Sequence, residues 1–222
     1  MPPNARKLAS GPYTGPKPHV GPPEAGAEVE GVDFARVDWW GAELEGVTFT
    51  RCRFDDASLE ELVTRRCVFE ECVLTGARLA GSRHSGTAFL SCRFDRATLV
   101  DVTWDGCKLT GSQFPGARLR PMTAVECDWS YANLRAADLS GLDLSGQRFR
   151  ETDFTDADLR ECDLTGADLD RARLQGTKLR GTDLRGASTD GVNWLAFELT
   201  GVRLDLVQAV AFTRAHGALV AD

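Results

Sequence analysis

Large apolar residues recur every five positions along this chain, and the phase never slips. From Phe34 the series runs Trp39, Leu44, Phe49, Phe54 and Leu59, then on through Leu134, Leu139, Leu144, Phe149 and Phe154 to Leu204. Of the 35 positions visited, 31 are Leu, Phe or Trp, and the exceptions are Thr64, His84, Ala124 and Thr189. A step of five draws no stripe on an α-helix, and in a strand it alternates faces. The repeating unit is therefore a short extended piece plus a turn, stacked on copies of itself.

The remaining positions of the repeat agree. Two residues before each large centre the chain is small, as at Ala57, Ala77, Ala97, Ala157 and Ala167. Two residues after it Gly is frequent, as at Gly41, Gly76, Gly141 and Gly181, where a turn needs positive φ. Asp or Asn often precedes the centre and favours turns by bonding nearby backbone. Stretches such as Ala137-Asp138-Leu139-Ser140-Gly141 and Ala167-Asp168-Leu169 resemble the A(D/N)LXX motif of pentapeptide-repeat proteins, from about Gly31 to Asp205. The resemblance implies an all-β chain, a right-handed quadrilateral β-helix with four pentapeptides per coil. The centre and the small residue would point inward and the other three outward.

Residues twenty apart should then stack. One column carries Phe34, Phe54, Leu74, Phe94 and Phe114, and the next carries Trp39 followed by Leu from Leu59 to Leu199. Thr64, His84 and Ala124 share a column with Leu44, Trp104 and Leu144, so local distortion is expected there. Pro115 to Glu126 is off-pattern and is expected to form a bulge at most. All seven cysteines (Cys52, Cys67, Cys72, Cys92, Cys107, Cys127 and Cys162) occupy the small inward position. They read as free thiols acting as small buried hydrophobes. Their number is odd, no secretory signal is visible, and a row of ligands does not suit tetrahedral zinc.

Three segments follow. Residues 1–30 form a Pro/Gly-rich tail, expected to be extended or disordered and to cover the first coil; residues 31–205 form the solenoid. Residues 206–222 hold a short C-terminal α-helix, with apolar residues at helical spacing and Gly217 as a stop. Its expected roles are capping and dimerisation, through Val207, Val210, Ala211, Phe212 and Leu219. The two-fold contact at this end is implied by resemblance to quinolone-resistance members of the family. No run of about 20 apolar residues suggests a membrane span, and a cytoplasmic setting is expected.

Catalysis is not expected. His19, His84 and His216 are far apart in sequence, and no nucleophile–base pair, phosphate loop, metal spacing or cofactor motif appears. Binding is the better class. From Gly31 to Asp205 there are 29 Asp and Glu against 22 Lys and Arg, and no face is uniformly acidic. One belt is acidic: Asp138, Asp143, Glu151, Asp153, Asp156, Asp158, Glu161, Asp163, Asp168 and Asp170 are opposed by Arg148, Arg150 and Arg160. Beyond it lie Arg171, Arg173, Lys178, Arg180 and Arg185, which weaken the effect. The acidic balance opposes direct nucleic-acid binding. The resemblance, closest to loop-free topoisomerase-protection members, implies a DNA mimic that binds DNA gyrase or topoisomerase IV and protects it from quinolone-type poisons. A structural scaffold for another protein partner is the alternative.

Overall fold

The computed structural model describes residues 20–221; the expectations for the tail up to His19 lie outside the described residues. The chain winds into a β-solenoid of twenty-residue coils. Short strands β1 (Glu28–Glu30), β3 (Thr48–Thr50), β5 (Val68–Glu70) and β7 (Ala88–Leu90) stack as a parallel sheet. Strands β2 (Glu43–Glu45), β4 (Val63–Arg65), β6 (Arg83–Ser85), β8 (Val102–Asp105) and β9 (Met122–Val125) form a second. Register is kept at twenty along both sheets: Phe49 faces Phe69, His84 faces Trp104, and Trp104 faces Ala124. Single parallel bridges continue the stacking, from Asp33↔Arg53 to Asp183↔Arg203.

Inside, the columns are dry. Phe69 and Phe89 stack at 4.7 Å and 8°, and Phe94 and Phe114 at 4.9 Å and 4°. Each buried Leu or Phe contributes roughly 1.5–3 kcal/mol of burial, which explains why the period tolerates few exceptions. At the corners the backbone is left-handed even where Gly is absent, as at Arg36 (φ 59) and Glu151 (φ 55). That conformation costs on the order of 1 kcal/mol per non-glycine residue. It is offset by a rung-to-rung bond from the corner N–H, Arg36 to the Asp55 carbonyl at 2.7 Å and Glu151 to that of Asp170 at 2.9 Å.

Two kinds of corner divide the centres. At most, the centre's carbonyl accepts from the N–H three residues on, as Phe54 does from Ala57 at 3.1 Å. At the strand-bearing coils, around Phe49, Phe69, Phe89, His84 and Trp104, that bond is missing, and a side chain of the next coil supplies a donor. The Cys92 thiol donates to the Phe69 carbonyl at 3.2 Å, and the Ser112 hydroxyl to that of Phe89 at 2.8 Å. Cys72, Cys107 and Cys127 do the same for Phe49, His84 and Trp104. The cysteines are thus buried free thiols that also satisfy carbonyls, a role beyond plain packing.

The column of exceptions keeps its pairing through Thr64, His84 and Trp104 to Ala124. It is interrupted beyond, where no bridge joins Thr123 to Asp143, so the expected distortion is confined to Ala124. Thr64 Oγ1 lies 2.8 Å from His84 Nδ1, and Ser82 Oγ lies 2.9 Å from Nε2. His84 stacks on Trp104 with centroids 4.6 Å apart. Burial lowers its pKa to about 3, so it is neutral. At Ala124 the missing volume is taken up by neighbours. Trp104 and Trp129 meet edge to face at 6.3 Å, and Gln147 donates to the Ala124 carbonyl at 3.2 Å. The Pro115 to Glu126 stretch pairs with the coil before it, but Asp101 N–H bonds to the Pro121 carbonyl twenty residues on, beside a cis bond between Arg120 and Pro121. No bridge joins Arg118 to Asp138 or Thr123 to Asp143 in the coil after it; the expected local bulge is present.

Both ends are covered. The Trp39 indole donates to the Val20 carbonyl at 2.8 Å, which fastens the segment before β1 to the first coil. Trp40 is exposed rather than tucked under it. Helix α1 (Leu206–Ala215) closes the other end behind an Asp205–Gln208 capping box. Just before it, one side of the last coil peels away. No bridge joins Arg173 to Asn193 or Lys178 to Glu198, although Asp183 pairs with Arg203 again. Gly176 N–H bonds to the Ala196 carbonyl, twenty residues on, where the usual offset at a corner is nineteen. The cause is legible in one inward column, which reads Val37, Ala57, Ala77, Ala97, Ala117, Ala137, Ala157, Thr177 and then Phe197. A phenyl ring does not fit where a methyl group belongs. It sits half-buried instead, against Trp194 at 5.7 Å.

Candidate partner-binding surface

The acidic belt lies on the regular coils, and its side chains fall into columns. Asp143, Asp163 and Asp183 follow one another in register, as do Asp138, Asp158 and Lys178. Most of the aspartates first serve their own turn. The Ser145 N–H and hydroxyl both donate to Asp143 Oδ1, at 3.0 and 2.7 Å, and hold its carboxyl below the usual range. Thr165 N–H donates to Asp163 at 2.8 Å.

Arginines then neutralise part of the belt. Arg120 reaches Asp138 at 3.1 Å, Arg150 reaches Asp170 at 2.9 Å and Asp168 at 3.5 Å, and Arg160 grips Asp158 at 2.6 Å. Arg135 and Arg173 flank Asp153, and Arg171 meets Glu151 at 3.5 Å. The guanidinium of Arg160 is the main reason the Asp158 carboxyl lies low. At Asp170 the hydroxyl of Ser188 plays that part. Asp183, the next rung of its column, is held at about 2 by Arg185. Such exposed pairs contribute about 0.2–1 kcal/mol each, but they remove net charge from the surface. Among the described residues, Asp143, Asp156, Glu161 and Asp163 stand outside every ion pair. The structure thus places the ten carboxylates on one stretch of rod and leaves four of them unneutralised.

The helix residues divide. Val207 and Leu219 are exposed, while Val210, Ala211 and Phe212 are half-buried. Phe212 packs edge to face on Trp194 at 6.3 Å and against His216. Gln208, which the sequence reading did not single out, is the buried anchor of the helix. Its Nε2 donates to the carbonyls of Leu184 and of Ala187 (2.9 Å), which lie at the open edge of the last coil. Exposed Leu206 continues the apolar strip of Val207. The signal for Gln208 was available as a D-x-x-Q capping box before an apolar run.

Among the described residues no group of three or more His, Cys, Asp or Glu could hold a metal ion, and no helix is long and apolar enough to cross a membrane. All seven thiols are buried, and burial pushes that of Cys162 up to about 11.

Residues 30–61 and 52–86 match the family description "Pentapeptide repeats (8 copies)", and residues 97–174 match "Pentapeptide repeat region". No curated protein matches the chain significantly. Among solved structures, full-length QnrB1, described as a plasmid-mediated fluoroquinolone resistance protein, is similar with a TM-score of 0.78 at 20% identity, over 88% of this chain and 99% of QnrB1. A trypsin-treated variant of QnrB1 gives 0.69 at 21% identity, over 89% and 99%. At these identities the likeness is one of fold.

Proposed function

The chain belongs to the pentapeptide-repeat family, and on that premise we propose that it binds a type II topoisomerase, DNA gyrase or topoisomerase IV, in place of duplex DNA and protects it from quinolone-type poisons. The observation that carries this reading is the set of carboxylates outside the arginine network, with Asp143 and Asp163 in register on one rigid column. Across residues 138–170 ten carboxylates oppose three arginines. At about 4.8 Å per coil that stretch covers roughly 8 Å of axis. Its formal charge density, about one net charge per 1.1 Å, therefore exceeds that of a duplex, about one charge per 1.7 Å. Pairing with Arg120, Arg135, Arg171 and Arg173 from outside the stretch lowers the figure, so the mimicry is local to the belt. A basic saddle that holds DNA would be steered to such a belt. A two-fold contact through Val207 and Leu219 would set two belts about one axis.

The test is DNA cleavage by gyrase in the presence of a quinolone, with the full chain added at micromolar concentration. Loss of the cleavage product supports the reading, and the Asp143→Asn/Asp163→Asn double variant should require at least tenfold more protein. No effect on cleavage or supercoiling, together with no binding to gyrase, overturns it.

The arginine pairing of the belt favours a second reading. Pairs between coils brace the rod, as expected of a scaffold whose partner is another protein. Equal binding of gyrase by the double variant would favour that alternative.

A further inference from the structure

Where Phe197 forces the last coil away, the preceding coil is left with an open β-edge. One coil earlier, the Leu159 N–H bonds to the Lys178 carbonyl at 2.9 Å and the Glu161 N–H to that of Arg180 at 3.0 Å. Their counterparts, Leu179 N–H and Gly181 N–H, make no such bond, and neither does the Thr177 carbonyl, whose equivalent at Ala157 accepts from Lys178 at 2.9 Å. The gap is bounded by the Gly176–Ala196 bond on one side and by the Thr182–Arg203 bond on the other. Between these pins lies a groove of about 560 Å³. Elsewhere between the coils main-chain groups are mostly paired. The one comparable break among the described residues, where no bridge joins Arg118 to Asp138 or Thr123 to Asp143, is crossed by the Arg120–Asp138 ion pair, whereas no described ion pair crosses this edge. An unpaired edge of alternating acceptor and donor groups is a template for another extended chain.

The lips of the groove are charged. Lys178 and Arg180 stand on the edge itself, exposed and outside every described ion pair. Arg160 lies behind them and is held by Asp158. Glu198 lines the facing lip, and Glu161 lies over Gly181. The slot is therefore polar across its width, cationic on the side that carries the free N–H groups. Five residues from Thr177 to Gly181 span about 17 Å when extended, enough for a strand of four or five residues.

We propose that this slot receives an extended acidic peptide of a protein partner. The peptide would add as a short strand on Thr177–Gly181, with its main chain on the Leu179 and Gly181 N–H groups and a carboxylate on Lys178 and Arg180. A simple anion fits less well, because it meets the Thr177 carbonyl as well as the donors. This site does not rest on the topoisomerase reading, whose unneutralised carboxylates lie on the preceding coils.

The experiment uses the full chain and two fluorescein-labelled probes, Glu-Val-Glu-Val-Glu and Lys-Val-Lys-Val-Lys, with amide hydrogen exchange read at Leu179 and Gly181. The acidic probe should bind saturably and slow both amides at least tenfold. The double variant Lys178→Glu/Arg180→Glu, on exposed positions, should weaken binding at least tenfold with an unchanged melting temperature. Phe197→Ala should let the coil close, so that both amides are slow without peptide and the probe no longer binds. Three results would each overturn the proposal: equal binding of the lysine probe, or of neither probe; exchange at Leu179 and Gly181 in the free chain as slow as at Leu159 and Glu161; and equal protection of the two amides by sodium phosphate alone.

Discussion

Gln208 Nε2 donates to the carbonyl of Ala187 at 2.9 Å, while Gln208 Oε1 accepts from the Asp205 N–H at 3.1 Å. One side chain thus starts the terminal helix and closes the last coil. Gln208→Ala should uncover two carbonyls and break the capping box, at a cost of about 1–3 kcal/mol. Because a solenoid loses its ends first, the loss should appear as faster amide exchange in Leu206–Ala215 and the last coil, with the coils near Phe89 unchanged. Uniform loss of protection along the chain would contradict this.

The thiol of Cys92 and the hydroxyl of Ser112 do the same work one coil apart. Cys92→Ser should therefore be tolerated. Cys92→Ala should destabilise by about 1 kcal/mol or more, because the buried Phe69 carbonyl loses its donor. Urea midpoints of the two variants check the order, and equal midpoints would show that the thiol only fills space.

His84 is neutral in the fold, with a pKa of about 3 against about 6.5 in an unfolded chain. Between those values the unfolded chain binds a proton that the folded chain refuses, so stability rises with pH across that window and levels off above it. The full excursion is on the order of 5 kcal/mol. Urea midpoints from about pH 4 to about pH 8 should show a shallower rise for His84→Leu than for the parent chain. Identical slopes would contradict the assignment.

Ala124 sits below Trp104 in a column where Leu is the rule. Restoring the rule by Ala124→Leu should destabilise, by about 1–3 kcal/mol, because Trp129 and Gln147 already occupy the space. A rise in melting temperature would show that the site was underfilled.

The period of five specified the coil, the inward positions and the stacking of the columns away from Ala124 and Phe197, because each repeat carries the same two-residue inward code. The helix beginning at Leu206 was legible from its loss of Gly and its capping residues. The charge pairing was not. Arg120 meets Asp138, and Arg150 meets Asp170, only once register brings residues about twenty apart side by side and long side chains reach between columns. The donor role of the cysteines was hidden because it depends on a carbonyl twenty-three residues earlier lying within reach, as the Leu139 carbonyl does for Cys162, and that distance is not written in the five-residue pattern. Phe197 was legible and missed: a large ring ends a column of small residues, and volume alone announces the change.

That ring also bears on how long the rod is. A repeating chain with no mismatch has no internal reason to stop winding. The phenyl group opens one side of the last coil, and pairing returns at Asp183 and Arg203 before the helix seals the end. A mismatch of this kind loosens one side of a turn and leaves the others wound, so the rod ends where the helix, rather than the ring, covers its open face.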